Sequence, residues 1–242
     1  MICLTEIQQA LQALAWDPAL YVDMAEGLCR KTARIVRAEA EGLLLLNEAA
    51  GVHMLMSRDG AAAARLLAGR AVRALVVHEA HALEPARRLL GLRGALRYHH
   101  ARYEAQSPPP ELPVQGLEIR RLDRRGVRFV QTHYHSLDGA DYVRERIAAG
   151  VMYGAFMQGR HAGFIGEHDE GAVGMLMVLP AYRMRGIAYA LERDAIRRAL
   201  QEGKRPYCQV AEGNEASLRL QTKMGFSLSD ASVVWMTEKA GN

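Results

Sequence analysis

Residues 172–188 read AVGMLMVLPAYRMRGIA. From Ala172 to Leu179 the side chains alternate. Val173, Met175, Met177 and Leu179 fall on one face, and Ala172, Gly174, Leu176 and Val178 on the other, the period of two that marks a strand. Pro180 has no N–H to give a ladder and ends the strand. Arg183-Met184-Arg185-Gly186-Ile187-Ala188 is then an Arg-x-x-Gly-x-Ala turn opening a helix over Gly186 to Glu202. Ile187, Leu191, Ala195 and Ala199 form its apolar stripe, and Gly203 stops it. A helix start presents N–H groups with no intrahelical partner and a partial positive charge. Gly186 and Ala188 leave that end uncrowded, and Arg183 and Arg185 add full charges, so the segment suits a phosphate or pyrophosphate. Taken alone, the same residues also fit an ordinary strand-to-helix connection.

A second stretch narrows the choice. Glu212 to Phe226, EGNEASLRLQTKMGF, predicts a short helix closed by Gly225. Together the two stretches resemble the GNAT superfamily of acyl-CoA-dependent N-acyltransferases. That family carries Arg/Gln-x-x-Gly-x-Gly/Ala after its fourth strand, then an Asn with a small residue three positions on, then Gly-Phe. Here these are Arg183, Gly186 and Ala188, then Asn214 and Ser217, then Gly225-Phe226. The resemblance runs from about Leu117 to Lys239, and GEHDEGAVGMLMVLPAYRMRG is most similar to the glycine N-acyltransferase-like branch.

The resemblance implies a GNAT fold: a mixed, mostly antiparallel sheet flanked by helices. It implies acetyl-CoA or another acyl-CoA as co-substrate, with no metal. The N–H groups of Arg183, Met184, Arg185, Gly186, Ile187 and Ala188 would hold the pyrophosphate. The main chain of Met177, Val178 and Leu179 would run beside pantetheine like an added strand, and Asn214 and Ser217 would add side-chain contacts. Asn214 is equally suited to capping its helix. N-acylation needs the amine deprotonated and the oxyanion stabilised. The family base is often a Glu eleven residues before the motif Arg, where this sequence has Ala172. Glu170 shares the Ala172 face if the alternation continues, and could act through a water; Glu167 is the next candidate, and both also suit turn carboxylates. The Tyr that many relatives place seven residues after the Asn is Gln221 here. Either no acid is needed or another group such as Tyr134 supplies it.

The remaining sequence is expected to form a smaller α/β domain. Helices are predicted over 4–16 and 18–29, and two strands within 33–56, at Leu43–Leu46 and Val52–Met56 around a turn. A helix over 61–69, a strand at Ala74–Val77, a helix at Pro85–Leu90 and a strand at Ala95–Tyr103 follow. This order loosely echoes the second half, like a degenerate copy. Ser107-Pro108-Pro109-Pro110 and Pro113 predict a semi-rigid spacer. The domains are therefore placed at 1–106 and 117–242, with a linker at 107–116. The acyltransferase part is expected to run strand (117–122), two helices (124–134, 139–149), strands at 151–157 and 161–167, the strand and helix described above, a strand at 206–210, the Asn214 helix and a strand at 231–238.

The 242 residues carry a net charge of +4, with basic and acidic residues interleaved and aromatics at 6%. The densest basic run, Arg120 to Arg128, surrounds Asp123 and suits a solvated helix face; no nucleic-acid partner is expected. Cys3, Cys29 and Cys208 are widely spaced without Cys-x-x-Cys, which predicts no disulfide framework or zinc site and fits a reducing cytoplasm. No basic segment precedes an apolar run at the start, and no apolar run approaches about 18 residues, so neither a signal peptide nor a membrane partner is expected. His133 and His135, with Thr132 and Asp138, lack a third ligand at recognisable spacing. His78, His81, His99 and His100 are expected as surface or packing residues, and Cys208 as buried packing. The expected function is direct acyl transfer to the primary amine of a small molecule or amino acid. Protein or peptide acetylation, or a catalytically inactive acyl-CoA-binding regulator, remain the alternatives. The N-terminal part could shape the acceptor site, mediate a homodimer or stabilise the fold.

Overall fold

The computed structural model describes residues 5–134 and 139–238. In sequence order the first part holds α1 (Glu6–Leu14), α2 (Val22–Cys29), β1 (Ala33–Glu39), β2 (Gly42–Asn47), β3 (Val52–Ser57), α3 (Gly60–Leu67), β4 (Ala74–Val77), α4 (Leu83–Leu90) and β5 (Gly94–Tyr103). Then come β6 (Leu117–Arg121), α5 (Val127–His133), α6 (Gly139–Ala148), β7 (Tyr153–Met157), β8 (Arg160–Glu167), β9 (Val173–Val178) and α7 (Ile187–Gln201). The last elements are β10 (Tyr207–Ala211), α8 (Glu215–Met224), β11 (Phe226–Leu228) and β12 (Val233–Thr237). The fold is mixed α/β with mostly antiparallel sheets flanked by helices. No helix among the described residues is long and apolar enough to cross a membrane.

Two compact units emerge. One comprises residues 1–102, 209–222 and 226–242; the other comprises 103–208 and 223–225. The first unit takes strands from both ends of the sequence. Its eight-stranded sheet has the order β1-β2-β3-β4-β12-β5-β10, with β11 paired to β5. β12 lies antiparallel to both β4 and β5, Trp235 standing opposite Val76 on one side and Leu96 on the other. β3 and β4 pair in parallel. The apolar run 43–46 is explained by burial on both faces. Leu44, Leu55, Leu75 and Val77 pack with Leu66 and Leu67 of α3 and Ala86 of α4. Leu43, Leu45, Met54 and Val76 pack with Leu14 of α1 and Met24 and Leu28 of α2. Burying each large apolar residue of this kind contributes about 1.5–3 kcal/mol. Thr5 and Gln8 close a capping box on α1, and the Asp59 carboxylate caps α3.

The second unit holds the four-stranded sheet β6-β7-β8-β9, with β9 at its edge. Leu122, Val130, Tyr142, Val143, Ile147, Phe156, Phe164 and Met175 form its core between this sheet and α5 and α6, while α7 packs on β8 and β9. The Pro-rich segment is fastened down. Pro110 C=O accepts from Tyr189 Oη at 2.8 Å, Pro109 C=O accepts from Arg193 Nε at 3.0 Å, and Arg193 pairs with Glu111 at 3.3 Å; both partners stand on α7.

The strand at 172–179 departs from simple alternation. On β8, Gly163 and Phe164 face Val178 and Met177, then Gly166 and Glu167 face Gly174 and Val173. β9 therefore carries one residue more than β8 across this interval, a β-bulge at which Met175 takes φ +55°. Phe164 and Glu167 are three apart and face opposite sides, so their partners Met177 and Val173 do too. The expected single face of Val173, Met175, Met177 and Leu179 is broken by this extra residue.

Candidate functional site

From β9 the backbone passes through a short 3-10 turn, Pro180–Tyr182, into the exposed segment 183–186 and then α7. Two residues there are left-handed, Met184 at φ +59° and Gly186 at φ +80°. For Met184 this conformation costs on the order of 1–2 kcal/mol, the kind of backbone outlier that clusters at ligand clamps. Gly186 accepts it without strain and leaves the helix start bare. Ala190 N–H makes the first helical bond, to Gly186 C=O at 3.0 Å, so the N–H groups of Ile187, Ala188 and Tyr189 lie ahead of the helical ladder. Ile187 is buried and anchors the turn. Arg183 Nε donates to Val178 C=O at 3.1 Å, and the Arg185 guanidinium lies 5.7 Å from the Tyr182 ring centre. Main-chain donors, a helix start and two arginines at an exposed turn form a chemically suitable anion cradle. Met177, Val178 and Leu179 lead into it along the sheet edge, with Leu179 N–H held by Ala162 C=O at 2.9 Å.

Asn214 and Ser217 belong to the other compact unit. Asn214 Oδ1 accepts from Ser217 N–H at 3.2 Å and its C=O accepts from Leu218 N–H, so Asn214 caps α8. Gln221 is buried on the same helix.

The two candidate carboxylates lie around the β8–β9 connection, Glu167 at the end of its expected strand. Glu170 lies in the turn between β8 and β9 and not on the strand. His168 N–H bonds Ala172 C=O, Gly171 N–H bonds His168 C=O, and Gly171 adopts φ +97°, which closes a turn. The premise that Glu170 shares the Ala172 face through continued alternation is therefore corrected. Its carbonyl oxygen accepts from Tyr207 Oη at 2.8 Å. Glu167 ends β8, half-buried, 3.7 Å from Lys204 Nζ. Ala172 itself is buried. Tyr134 follows α5 with its ring edge-on to Phe164 at 6.5 Å. Thr132 Oγ1 donates to Arg128 C=O, and His133 Nδ1 lies 2.8 Å from Phe129 C=O, so both turn back onto their own helix. His135 and Asp138 lie outside the described residues, as do Cys3 and the start of the first helix.

One group escaped the sequence reading. His168 Nδ1 lies 2.8 Å from Tyr142 Oη, and the two rings stack at 6.0 Å with 24° between their planes. Nothing in the spacing points to Tyr142, which is remote in sequence. A histidine two residues from the favoured Glu170 was the available signal.

The first unit holds a second polar cluster. Asp23, His78 and His100 are all fully buried. His78 Nδ1 lies 2.8 Å from Leu55 C=O, and its Nε2 lies 2.9 Å from Asp23 Oδ1. Both ring nitrogens face oxygen atoms, the Leu55 carbonyl and the Asp23 carboxyl. Burial opposes charge on each partner, yet the pairing prevails: His78 is held above the usual histidine range and Asp23 below the usual carboxylate range. Burial pushes His100 down. The three side chains are close enough to surround a cation. The sequence leaves His78 and His100 as surface or packing residues; both are buried, and His78 pairs with Asp23, which the sequence does not single out. Cys208 is buried beside Glu192, 3.5 Å from its Oε1, and burial first, then Glu192, raises the thiol well above its usual range.

The model of the acetyltransferase (GNAT) family matches residues 104–226. The protein belongs to this family, whose members transfer an acyl group from acetyl-CoA or another acyl-CoA. Among solved structures, a Drosophila protein is similar with a TM-score of 0.71 at 14% identity, covering 97% of this protein and 96% of that one. A putative GNAT-family acetyltransferase from Novosphingobium aromaticivorans gives 0.55 at 21% identity, covering 91% and 95%. A GCN5-related N-acetyltransferase-like protein from Streptococcus suis gives 0.56 at 13% identity, covering 96% and 99%. At these identities the likeness is one of fold. No curated protein matches the sequence.

Proposed function

We propose that this enzyme transfers an acyl group, acetyl as the first choice, from acyl-CoA to the primary amine of a small molecule or amino acid. Transfer is direct, within a ternary complex, in a reducing cytoplasm. The observation that carries the reading is the edge strand β9 leading into the exposed turn 183–188, with left-handed Met184 and Gly186 and flanking arginines. The pyrophosphate of CoA would meet the N–H groups of that turn and Arg183 and Arg185. Pantetheine would lie along Met177–Leu179. The buried thiol of Cys208 favours direct transfer over an acyl-enzyme. The segment also supports the glycine N-acyltransferase-like branch as the source of acceptor candidates, amino acids first.

The test is a screen of amino acids, polyamines, aminoglycosides and short peptides with acetyl-CoA, reading thiol release. Calorimetry with acetyl-CoA alone runs beside it, on the parent protein and on Asn214→Ala and Ser217→Ala. Turnover of a small amine supports the proposal. Turnover of peptides alone transfers it to protein acetylation. Tight acetyl-CoA binding without turnover of any acceptor leaves the inactive regulator, and no acetyl-CoA binding refutes the reading.

A further inference from the structure

We propose that His168, held by Tyr142, is the general base of the acyl transfer and replaces the carboxylate missing at Ala172. The assignment rests on the reading that Met177–Leu179 carry the pantetheine arm.

The geometry starts from Gly174. A Cβ there would lie 2.5 Å from His168 Nε2 and 2.6 Å from its Cδ2. The imidazole thus occupies the space a side chain at 174 would fill, and only glycine admits it. Ala172 and Gly174 are two apart and precede the bulge, so they share a face. His168 therefore covers the strand face on which the family pattern places its carboxylate. Gly174 directly precedes Met175, the bulge residue, three positions before Met177. A strand rises about 3.3 Å per residue, so the ring lies about 7–10 Å beyond Met177 along β9, on the side to which a thioester extending past the pantetheine run would reach. α6, one of the two helices on this side of the sheet, supplies Tyr142.

The surrounding charges favour the histidine over the acids. Glu167 is paired with Lys204, and Asp169 with Arg146 of α6. Glu170 is in the turn, its backbone tied to Tyr207. His168 is half-buried, so a captured proton has a route to water. Histidine is the side chain whose ordinary titration lies near neutral pH. For Nε2 to accept a proton, Nδ1–H must donate to Tyr142 Oη, a contact that strengthens when the ring becomes charged.

In the transfer, the ammonium R–NH3+ gives one proton to His168 Nε2, which releases it to water. The nitrogen lone pair forms the N–C bond to the thioester carbonyl, whose π electrons move to oxygen. The oxyanion collapses, the C–S bond breaks with its electron pair on sulfur, and one of the two protons left on nitrogen ends on the thiolate. R–NH3+ and acyl-CoA become the amide, CoA-SH and one proton.

The test uses His168→Gln in the full-length protein, acetyl-CoA, and the best acceptor from the amine screen. The expected kcat loss at pH 7 is about 10²–10⁴-fold, with the acetyl-CoA dissociation constant within about twofold of parent and a deficit that shrinks as pH rises. Glu167→Gln and Glu170→Gln should each stay within about threefold. Gly174→Ala, whose methyl group meets the ring and no main chain, is a second variant should His168→Gln fail to fold; it should lose kcat by at least about tenfold with the same pH trend. If His168→Gln binds acetyl-CoA and keeps kcat within about threefold from about pH 6 to 9, the assignment is wrong. A loss equal at every pH marks a positioning role and also overturns it. If the parent protein binds no acetyl-CoA, the reading of the β9 edge has failed, and this assignment falls with it.

Discussion

Gly186 offers the sharpest test of the anion cradle, because two substitutions there separate backbone strain from charge. Its φ of +80° is one that side chains rarely adopt, and a Cβ would stand 3.2 Å from Val114 Cγ2. Gly186→Ala should therefore cost about 1–2 kcal/mol of stability. In a protein of this length that is roughly 2–8 °C of melting temperature. Gly186→Asp carries a similar backbone cost and adds a carboxylate where the pyrophosphate would sit. The assay is thermal unfolding with and without acetyl-CoA. At about 100 times its dissociation constant the ligand adds about 2.7 kcal/mol to the parent protein, roughly 5–11 °C. Gly186→Ala should start lower and keep part of that gain. Gly186→Asp should start equally low and gain nothing. If Gly186→Asp is stabilised as much as the parent, the phosphates bind elsewhere and the reasoning about the 183–188 turn is refuted.

Three further outcomes are expected. His78→Ala leaves the Asp23 carboxylate buried without its cation and should cost about 3–5 kcal/mol in denaturant unfolding near pH 5–6. Asp23, with its pKa depressed, contributes stability present above about pH 4 and lost as pH falls through its folded value; His78, with its pKa raised, contributes stability present below about pH 6.5 and lost as pH rises through its folded value. The deficit should therefore peak between these limits and narrow at alkaline pH, and a deficit flat in pH would sink the ion-pair account. Cys208→Ala should keep turnover within about threefold, and intact-mass spectrometry after acetyl-CoA should find no acylated Cys208; an acyl-enzyme there with ping-pong kinetics would reverse the direct-transfer mechanism. Gly163→Val puts a Cβ 2.4 Å from Met177 C=O and should force β9 outward, weakening acetyl-CoA binding by at least about tenfold in calorimetry. Parent-like affinity would show that Met177–Leu179 do not line the ligand.

The elements were legible because local pattern and tertiary demand agree in this sequence. Ala74–Val77 is a strand as its run of apolar residues predicts, and Val52–Met56 differs from β3 only at its last residue. Gly203 and Gly91 end their helices in the left-handed conformation that glycine supplies. The partnership of strands was not legible. The apolar residues of 233–237 specify a buried strand, but nothing in them states that its neighbours are β4 and β5, remote in sequence. Pairing across such separations is chosen by the cores on both sheet faces, not by the strand's own residues. The Pro-rich segment shows the same limit. Its prolines define an extended backbone, while the hydrogen bonds that fasten it come from Tyr189 and Arg193 on α7.

At the candidate site the limit is the bulge. Alternation along 172–179 assumes that each residue advances the strand by one step, and the extra residue at Met175 cancels that assumption where the chemistry would occur. Counting eleven residues back from Arg183 finds Ala172, just ahead of β9. What it misses is that a group from outside the strand can reach that place. His168 does so from the turn, by way of a glycine that yields its space and a tyrosine on α6 that fixes the ring. Gly174 looked in the sequence like one more small residue on an alternating face. Its role is to be empty, and an absent side chain becomes informative only when the structure supplies the group that fills the gap.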